Sequence, residues 1–438
     1  MSPRAIAERV WRAGVAAVDS RRLVADAVRG LAGEIAAKER LLVLGAGKAG
    51  AGMAAGVLDA VADSRVAPAK AGPSSSPAFR RGSARVDGVL SVPADCVRDL
   101  PPVRLLAGRP AGVNEPRPEG VAATREILSL ARAADADTFA LVLISGGGSA
   151  LLVAPAAGVT LEAKQAVTRL MASRGAPIGD LNAVRSRLSD VKAGGLARAL
   201  TNAGSVHALV ISDVIGDPLP VIASGPCVAA ADPPDAAAVL AKYEPDESEW
   251  PAGVADALRR TPPPPPRAVP HSLVGTNATA VDAAAAEARS LGFAVEVLGS
   301  GRAGTVEEAA AFWAESIRRA EATDKPLVLI DGGEPTVSLP PNPGRGGRNQ
   351  QLALDVLRRL RGDERGWAFL SGGTDGEDGP TDAAGGGVGP FAGGPEIEPH
   401  LERFDAYPWL EAAGCLLKTG PTHTNVMDLR VGVVAAQR

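Results

Sequence analysis

The residues with the clearest chemical potential are cationic side chains beside glycine-rich loops. Lys48 lies in GAGKAG (45–50), directly after the apolar run LLVLG, and Arg345 and Arg348 lie in GRGGRNQ, where a helix is predicted to begin. Helix N-termini favour anions, and a guanidinium matches two phosphate oxygens at once. Lys48 and Arg348 are therefore candidates for holding a phosphate or a carboxylate. A tight turn with a solvated lysine is the alternative at Lys48.

A second glycine-rich loop, SGGGSALL (145–152), also follows an apolar run. Three consecutive glycines carry a backbone entropy cost, which a close approach of the backbone to a ligand explains. We predict that the N–H groups of Gly146, Gly147, Gly148 and Ser149 cradle phosphate, together with Gly45 and Gly47 of the first loop. Dense strand–helix packing is the alternative. Ser149 does not fit a nucleophile elbow, because Leu151 stands where that motif has glycine.

Acidic residues follow two further predicted strands. Asp213 ends the run HALVISD, and Asp375 lies in the loop SGGTDGEDGPTDAAGG (371–386). Carboxylates at the carboxyl edge of an α/β sheet, in a chain rich in anion-binding loops, indicate a Mg²⁺ ion carried by a nucleotide phosphate. Asp213 and Asp375 are therefore predicted either to bind metal or to orient an attacking hydroxyl. Turn-forming aspartates are the alternative in the second loop.

Two other polar segments leave both a functional and a structural interpretation open. Arg185 and Lys192 lie in LNAVRSRLSDVKAGGLA (181–197), where a solvated basic face is the usual structure and nucleotide binding, by Lys192 in particular, is the functional alternative. His423, in KTGPTHTNVMDL, is predicted as a surface histidine rather than an acid or base. The four histidines are not at metal-ligand spacing, which argues against structural zinc.

The elements that position these residues follow from short aliphatic runs, each succeeded by a helical pattern, which predict parallel sheets. We expect an α/β protein of two domains. An N-terminal Rossmann-like parallel sheet flanked by helices is predicted over 1–245, and a second, smaller α/β domain, which includes the run HSLVG at 271–275, over 268–438. The acidic, proline-rich stretch 246–267 is predicted to be the linker.

Composition narrows the class of function. The 438 residues are 46% hydrophobic and carry 46 basic against 50 acidic side chains, which excludes a disordered chain and provides no basic field for nucleic acid or a membrane surface. Three widely separated cysteines favour a reducing compartment. The uncharged stretch 138–161 is interrupted by glycines and a proline, so it is not predicted to span a bilayer. We expect a cytoplasmic protein that acts on small molecules, with homodimerisation as an option.

The motifs also resemble, in their order, those of the MOFRL-type glycerate 2-kinase family over about residues 5–435: GAGKAG, SGGGSALL, NAVR…LSDVKAGGLA, SDVIGDPLPVIASGP, GGEPTVSLPPNPGRGGRNQQLAL, GGTDGEDGPTDAAGG and GPTHTNVMDL. The resemblance implies ATP-dependent phosphorylation of D-glycerate to 2-phosphoglycerate, with a divalent metal, in a cleft between the two domains. It places the family's active-site lysine at Lys48 and its arginine at Arg348.

The chain departs from the family pattern at positions that bear on the acceptor. Arg109 stands where the family commonly has the histidine of GHPVPDE, Gly195 where it more often has the arginine of KGGRLA, and His423 where it has the glycine of GPTGTNV. No residue pattern fixes transfer to the 2-hydroxyl rather than the 3-hydroxyl.

Two other functions stay open. GAGKAG matches the dinucleotide fingerprint of an NAD(P)H-dependent hydroxypyruvate reductase, although the acid expected some 20 residues later is misplaced. A non-catalytic sensor of sugar acids or nucleotides is the third function.

Overall fold

The computed structural model describes residues 1–66, 84–113, 115–228, 233–320 and 325–436. The chain forms two compact units, which interleave along the sequence, whereas the predicted domains are consecutive. We call Ser20–Ile211 with Asp217–Val274 the parallel-sheet unit. Met1–Asp19, Ser212–Gly216 and Gly275–Arg438 form the mixed-sheet unit.

The secondary structure alternates between strands and helices in both units. The described strands are β1 (Arg40–Ala46), β2 (Arg85–Pro93), β3 (Val103–Arg109), β4 (Thr138–Ile144), β5 (Ser205–Ile211), β6 (His271–Gly275), β7 (Ala294–Arg302), β8 (Leu327–Gly333), β9 (Trp367–Gly373), β10 (Gly385–Val388), β11 (Leu416–Leu417) and β12 (Asp428–Val434). The described helices are α1 (Pro3–Ala17), α2 (Ser20–Gly30), α3 (Ala32–Ala36), α4 (Gly50–Val66), α5 (Pro118–Arg132), α6 (Gly148–Leu151), α7 (Leu161–Ser173), α8 (Ile178–Arg187), α9 (Gly195–Ala199), α10 (Ala236–Ala241), α11 (Val254–Arg259), α12 (Asn277–Ser290), α13 (Val306–Arg319), α14 (Arg348–Arg359), α15 (Glu398–Glu402) and α16 (Ala406–Ala412). In the described ranges, none of these helices is both long and apolar enough to cross a membrane.

The parallel-sheet unit contains a six-stranded sheet in the order β3-β2-β1-β4-β5-β6. Strands β1 to β5 pair in parallel, and β1 and β4 are almost wholly buried because helices cover the sheet. This is the Rossmann order, and the direction of winding reverses between β1 and β4, where open α/β sheets bind ligands. The predicted Rossmann-like α/β fold is confirmed.

Strand β6 and the proline-rich stretch belong to the same unit. The run at 271–275, which the sequence analysis assigns to the second domain, extends the first sheet instead, and Ala208 N–H donates to Pro270 O (2.9 Å) at its start. Part of the predicted linker packs into the unit as well. Trp250, Val254 and Leu258 lie in an apolar cluster with side chains of α7, α8 and α10.

The mixed-sheet unit contains a six-stranded sheet in the order β11-β10-β9-β12-β8-β7. Strands β7 and β8 are parallel, whereas β12 runs antiparallel to both of its neighbours, β8 and β9. The apolar runs AVEVLGS (294–300), PLVLIDGG (326–333) and WAFLSGGTDG (367–376) predict strands where β7, β8 and β9 lie, whereas no strand is predicted at β12. Helices α13 and α14 contribute to the apolar core on one side of this sheet, and α1 and α12 contribute to a second core.

Helix α1 illustrates why the two units interleave. Its apolar side chains, including Ile6, Val10 and Trp11, are buried in the core with Val281 of α12. The Trp11 indole N–H donates to Leu429 O (3.1 Å) on β12. An amphipathic pattern predicts that one face is buried, but it does not predict which sheet covers that face.

Candidate active site

Lys48 lies in the loop that joins β1 to α4, at the carboxyl edge of the parallel sheet. Two backbone bonds tie this loop to the one after β4: Lys48 N–H donates to Gly146 O (2.8 Å), and Ser145 N–H donates to Ala46 O (3.1 Å). Gly47 permits this contact, because at its φ of 145° a Cβ atom would lie 2.0 Å from Ser145 Oγ. The two glycine-rich loops therefore form one surface at the switch point, and Lys48 is half-buried in it.

The loop after β4 presents only part of the predicted phosphate cradle. Gly147 adopts a left-handed φ of 76°, and α6 begins directly after it. Gly148 N–H donates to Ser145 O (3.2 Å), so it points back into its own loop. Among the residues that the structure describes, the backbone N–H groups of Gly146, Gly147 and Ser149 have no backbone acceptor. Of the predicted cradle, these three donors are available, and the N–H group of Gly148 is not.

Arg109, at the end of β3, brings a second cation to this loop. A Cβ atom placed on Gly147 would lie 3.2 Å from Arg109 Nη2 and 3.5 Å from Lys48 Cγ, so the two cations flank the glycine. Arg109 is only 3% exposed, and its Nη1 donates to Val113 O. Arg109 stands where the family commonly has histidine, and it places a positive charge beside the predicted anion site.

The Lys192 side chain is buried in the protein, whereas a lysine that binds a nucleotide presents its amine to the ligand. Its side chain is 1% exposed, and Nζ donates to Ser149 O (3.0 Å) and Ser224 Oγ (3.0 Å). Burial lowers the pKa of Lys192 well below its ordinary value, and the cations Arg185 and Lys164 lower it further. The amine therefore supports the glycine-rich loop from within the protein.

Gly195 leaves no space for the arginine of the family pattern. A Cβ atom on Gly195 would lie 2.1 Å from Asp190 O. With this backbone, a side chain at position 195 would collide with the carbonyl oxygen of Asp190. The close packing of the chain just before α9 therefore explains why glycine, and no cation, stands at this position.

Two of the cavities in the described part of the parallel-sheet unit are lined by basic side chains. A cavity of about 220 Å³ is lined by Ser149, Lys164 and Arg185, among others. A larger one, of about 450 Å³, is lined by four arginines: Arg132, Arg187, Arg198 and Arg260. It contains none of the residues predicted to bind or transfer a phosphate, and Arg132 ends α5, which leads to the amino end of β4. The smaller cavity is therefore the one adjoining the predicted site.

Arg348, the first residue of α14, lies in the mixed-sheet unit between two carboxylates. It forms a bidentate pair with Asp428 of β12 (Nε–Oδ2 2.7 Å and Nη2–Oδ1 2.9 Å), and its Nη1 lies 2.8 Å from Glu334 Oε1. Burial lowers the pKa of Arg348, but Asp428 and Glu334 outweigh it and raise the pKa above its ordinary value. Arg348 is thus a permanent cation whose orientation is fixed by the bidentate pair with Asp428.

Asp213 and Asp375 belong to an acidic group around Glu334, the residue that pairs with Arg348. Asp213 Oδ2 accepts from Asn425 Nδ2 (3.2 Å), and Asp375 Oδ1 accepts from Glu377 N–H (3.1 Å). Burial raises the pKa of Glu334, and Asp428, Asp213 and Asp375 raise it further, although Arg348 opposes them. Within the described ranges, no three His, Cys, Asp or Glu side chains are arranged to hold a metal ion by themselves.

Asp378, in the predicted acidic loop, acts as a helix cap. Its carboxylate accepts from the backbone N–H groups of Asn349 (3.0 Å) and Gln350 (2.9 Å), at the start of α14. Burial raises the pKa of Asp378 to about 7, despite these two bonds. The loop after β9 is therefore tied to the helix that carries Arg348.

His423 occupies a position that suits glycine. Its φ is 60°, in the left-handed region where glycine has no steric penalty. The neighbouring Asn425 and Thr424 make the structural bonds of this segment: Asn425 to Asp213, and Thr424 Oγ1 to Val18 O (2.6 Å). The left-handed backbone at this position explains why the family pattern has glycine there. It does not assign His423 a role as an acid or a base.

The predicted residues thus fall into two groups. Lys48, the glycines of the two loops, Ser149 and Lys192 lie together in the parallel-sheet unit, and Arg348, Asp213 and Asp375 lie together in the mixed-sheet unit. The sequence analysis missed Ser224, which lies in a turn within ASGP, and Asp428. Asp428 begins the apolar run DLRVGVV, and an acid at the start of such a run is the signal by which the sequence could have identified it.

Comparisons with known proteins connect both groups to one family. Residues 6–259 match the family described as a domain of unknown function (DUF4147), and residues 327–428 match the MOFRL family. The human protein named glycerate kinase is 38% identical over 416 residues, which covers 79% of this chain and 79% of that protein. The Thermotoga maritima protein named D-glycerate 2-kinase is 39% identical over 335 residues, covering 74% of this chain and 79% of that protein.

Solved structures share the architecture. The crystal structure of glycerate kinase from Thermotoga maritima has a TM-score of 0.84 at 32% identity, and it covers 98% of this chain and 99% of its own. A protein from Pyrococcus horikoshii has a TM-score of 0.76 at 29% identity, covering 100% of this chain and 99% of its own. The likeness therefore extends over both units.

Proposed function

Because the chain belongs to the MOFRL-type glycerate kinase family, we propose that it catalyses the ATP-dependent phosphorylation of D-glycerate to 2-phosphoglycerate. The observation that carries the proposal is the surface formed by Lys48, Gly146, Gly147 and Ser149 at the switch point, which supplies a cation and three backbone donors where α/β sheets bind ligands. Phosphoryl transfer requires mainly positioning and neutralisation of charge, which such a surface provides.

In the parallel-sheet unit, Lys48 and Arg109 would neutralise phosphate oxygens while the N–H groups of Gly146, Gly147 and Ser149 orient them. Gly45 allows β1 to come close to β4, and Gly47 allows the two loops to come close. Gly148 and Lys192 support the loop after β4 from behind. Hydrogen bonds in which one partner is charged are about twice as strong as neutral ones, so this set suits a polyphosphate.

In the mixed-sheet unit, Arg348 would bind either the glycerate carboxylate or the transferring phosphoryl group. Its Nε and Nη2 are occupied by Asp428, and Nη1 faces Glu334, the weaker of the two partners because it is not fully buried. An anion would therefore compete with Glu334 for Nη1, while Asp428 keeps the guanidinium plane fixed.

The acidic group fits a magnesium ion in part. Mg²⁺ in nucleotide sites is commonly bound by one or two carboxylates, with phosphate oxygens and water completing the octahedron. Asp213 and Asp375, which both act electrostatically on Glu334, supply carboxylate oxygens of that kind. They would hold the ion, which would neutralise charge on the nucleotide phosphates when bound.

The reductase alternative lacks support in the same sheet. Dinucleotide-binding folds place an acid at the end of the second strand to bind the ribose. Here β2 ends in Ser91-Val92-Pro93, and the Ser91 hydroxyl donates to Leu151 O (3.0 Å). The similarity to proteins named glycerate kinase also favours phosphoryl transfer.

The test is to incubate the purified protein with D-glycerate, ATP and Mg²⁺ and to identify the product by phosphorus NMR, beside a reaction containing hydroxypyruvate and NADH. We expect 2-phosphoglycerate in the first and no NADH oxidation in the second. A 3-phospho product would contradict the position of transfer. NADH oxidation without phosphorylation would contradict the kinase function.

Residue roles are tested with Lys48→Ala and Arg348→Ala. Each is expected to lower kcat/KM at least about 100-fold, because a charge-assisted contact to a transferring phosphate contributes several kcal/mol. Lys242→Ala and Arg289→Ala remove exposed cations from the same two units and are the matched controls. A fully active Lys48→Ala variant would refute the assignment of Lys48.

A further inference from the structure

Three side chains behind the glycine-rich loop are connected by a continuous chain of hydrogen bonds. Ser149 Oγ lies 2.9 Å from Ser224 Oγ, and Lys192 Nζ lies 3.0 Å from the same Ser224 oxygen. Ser224 is 1% exposed and Lys192 is 1% exposed, whereas Ser149 is only half-buried. The chain therefore leads from an accessible hydroxyl, through a buried one, to a buried amine.

The backbone holds this arrangement under strain. Ala223 and Ser224 have φ angles of 50° and 62°, in a region that residues with a side chain rarely adopt. A Cβ atom on Gly148 would lie 2.7 Å from Ala223 Cβ, so this turn packs directly on the glycine-rich loop. Strained backbone conformations persist where the surrounding structure fixes them, commonly at functional sites. Here the strain presents the Ser224 hydroxyl to both of its partners.

Lys192 has the electrostatic surroundings of a neutral amine. The charged side chains that act on it are Arg185 of α8, which is a permanent cation, and Lys164 of α7, which is a cation below its own pKa of about 7. The loop before it contributes Ser149 O, and the turn at 222–224 contributes the Ser224 hydroxyl; both are uncharged. Burial lowers the pKa of Lys192 well below its ordinary value, and Arg185 and Lys164 lower it further. These effects favour the neutral amine, whose lone pair can accept a proton from the Ser224 hydroxyl.

Ser149 also lines the cavity of about 220 Å³. That volume is several times the roughly 30 Å³ of one water molecule, so it has room for a three-carbon hydroxy acid. Arg169 and Arg185 line the same cavity and offer cations for a carboxylate. A hydroxyl of such an acid would lie within reach of the accessible end of the hydrogen-bond chain.

We propose that Ser149, Ser224 and Lys192 form a proton relay that accepts the proton of the acceptor hydroxyl during phosphoryl transfer. The inference rests on the proposed kinase function. As the acceptor oxygen bonds to the γ-phosphorus of ATP, the bond from that phosphorus to the bridging oxygen breaks and ADP leaves. The acceptor proton moves to Ser149 Oγ, the Ser149 proton moves to Ser224 Oγ, and the Ser224 proton moves to Lys192 Nζ, which becomes an ammonium group. Ser149 contacts the acceptor, and the other two residues act through it.

The experiment measures kcat and KM for D-glycerate, with ATP and Mg²⁺ saturating, between pH 5.5 and 9. The variants are Ser149→Ala, Ser224→Ala and Lys192→Arg, since arginine keeps the charge but cannot accept a proton. Ser173→Ala and Lys242→Arg make the same changes at exposed positions of the same unit and are expected to leave kcat unchanged. Circular dichroism and thermal melting identify variants that fail to fold.

The wild type is expected to lose kcat on the acidic side as Lys192 becomes protonated. Ser224→Ala is expected to lower kcat about 100-fold or more, with KM changed less than about threefold, and to abolish that acidic limb. Lys192→Arg should be equally slow at every pH. If Lys192→Arg does not fold, Ser149→Ala and Ser224→Ala provide the same comparison.

An active wild type with kcat of Ser224→Ala within about threefold would refute the relay alone. Persistence of the acidic limb at the same pH in Ser224→Ala would also refute it, and would assign the titration to another group, such as Lys164. Absence of product from the wild type at every pH would refute the proposed function and, with it, the relay.

Discussion

Replacement of Lys164 by methionine is expected to remove a pH dependence from the stability of the parallel-sheet unit. Lys164 is 2% exposed, and Nζ donates to the carbonyl oxygens of Arg185 and Leu188, both at 2.9 Å. Burial lowers the pKa of Lys164 from 10.5 to about 7, and Arg185 contributes in the same direction. In the unfolded chain, the amine returns to its ordinary value.

The sign follows from the protons bound. Between about pH 7 and pH 10.5, the unfolded chain carries a proton on Lys164 that the folded chain lacks, so the free energy of unfolding rises with pH through that window. The slope is at most about 1.4 kcal/mol per pH unit, and the difference in pKa of about 3.5 corresponds to roughly 5 kcal/mol over the whole window. Below pH 7 both states are protonated, so the slope is zero and the cost of burying the charged amine is present in full.

The assay uses urea unfolding at pH 6, 7, 8 and 9, followed through fluorine NMR of protein labelled with 5-fluorotryptophan. Trp250 is the one tryptophan of the five in the described part of the parallel-sheet unit, and it lies in the apolar cluster with side chains of α7 and α8. Its signal therefore reports unfolding of the region that contains Lys164. The free energy for the wild type minus that for Lys164→Met should rise with pH above 7.

Lys242→Met removes a lysine at the surface of the same unit, and its difference from the wild type is subtracted as the baseline. Equal slopes for the wild type and Lys164→Met between pH 7 and 9 would refute the reasoning. That result would mean that Lys164 stays protonated in the folded protein, with its two carbonyl acceptors compensating for burial.

Further predictions concern three other positions. Arg348→Lys keeps the charge but loses the bidentate geometry, so kcat should fall at least about tenfold in the kinase assay; an unchanged kcat would mean that a point charge suffices. Gly347→Ala should lower the melting temperature, since its Cβ would lie 2.3 Å from Asp378 Cγ, whereas Gly393→Ala has open space and should not; equal melting temperatures would contradict the packing. Cys227 is buried with its pKa raised to about 12, so peptide mapping should show thiol labelling at pH 8 only after denaturation, and rapid labelling of the native protein would contradict its burial.

Local signals in the sequence were sufficient for the parallel sheet. An apolar run that ends in a glycine-rich loop and continues into a helical pattern identifies β1 and β4 and the loops around Lys48, because each signal is contained within about ten residues. The same reasoning assigned β6 to the wrong sheet, since a five-residue apolar run carries no information about its pairing partner.

The site in the mixed-sheet unit depends on contacts between distant segments. Arg348 and Asp428 are 80 residues apart, and they meet because β12 inserts between β8 and β9. Asp378 caps α14 from a loop that a local analysis assigns to catalysis. Lys192 could be recognised as a candidate, but its burial depends on the fold of the turn at Ser224. Side-chain environment at these positions is a property of the tertiary structure.

The position of β12 also determines the order in which the two units can be completed during synthesis. The parallel-sheet unit ends at Val274, so the ribosome delivers all of it before most of the mixed-sheet unit exists. The mixed sheet cannot close until β12 emerges, because β8 and β9 pair through it. The apolar face of α1, with Ile6, Val10 and Trp11, is buried by α12 and by strands of this sheet, so it lacks any of that cover until α12 is synthesised and lacks part of it until β12 emerges. For much of translation the nascent chain therefore exposes an apolar helix face that chaperones can recognise.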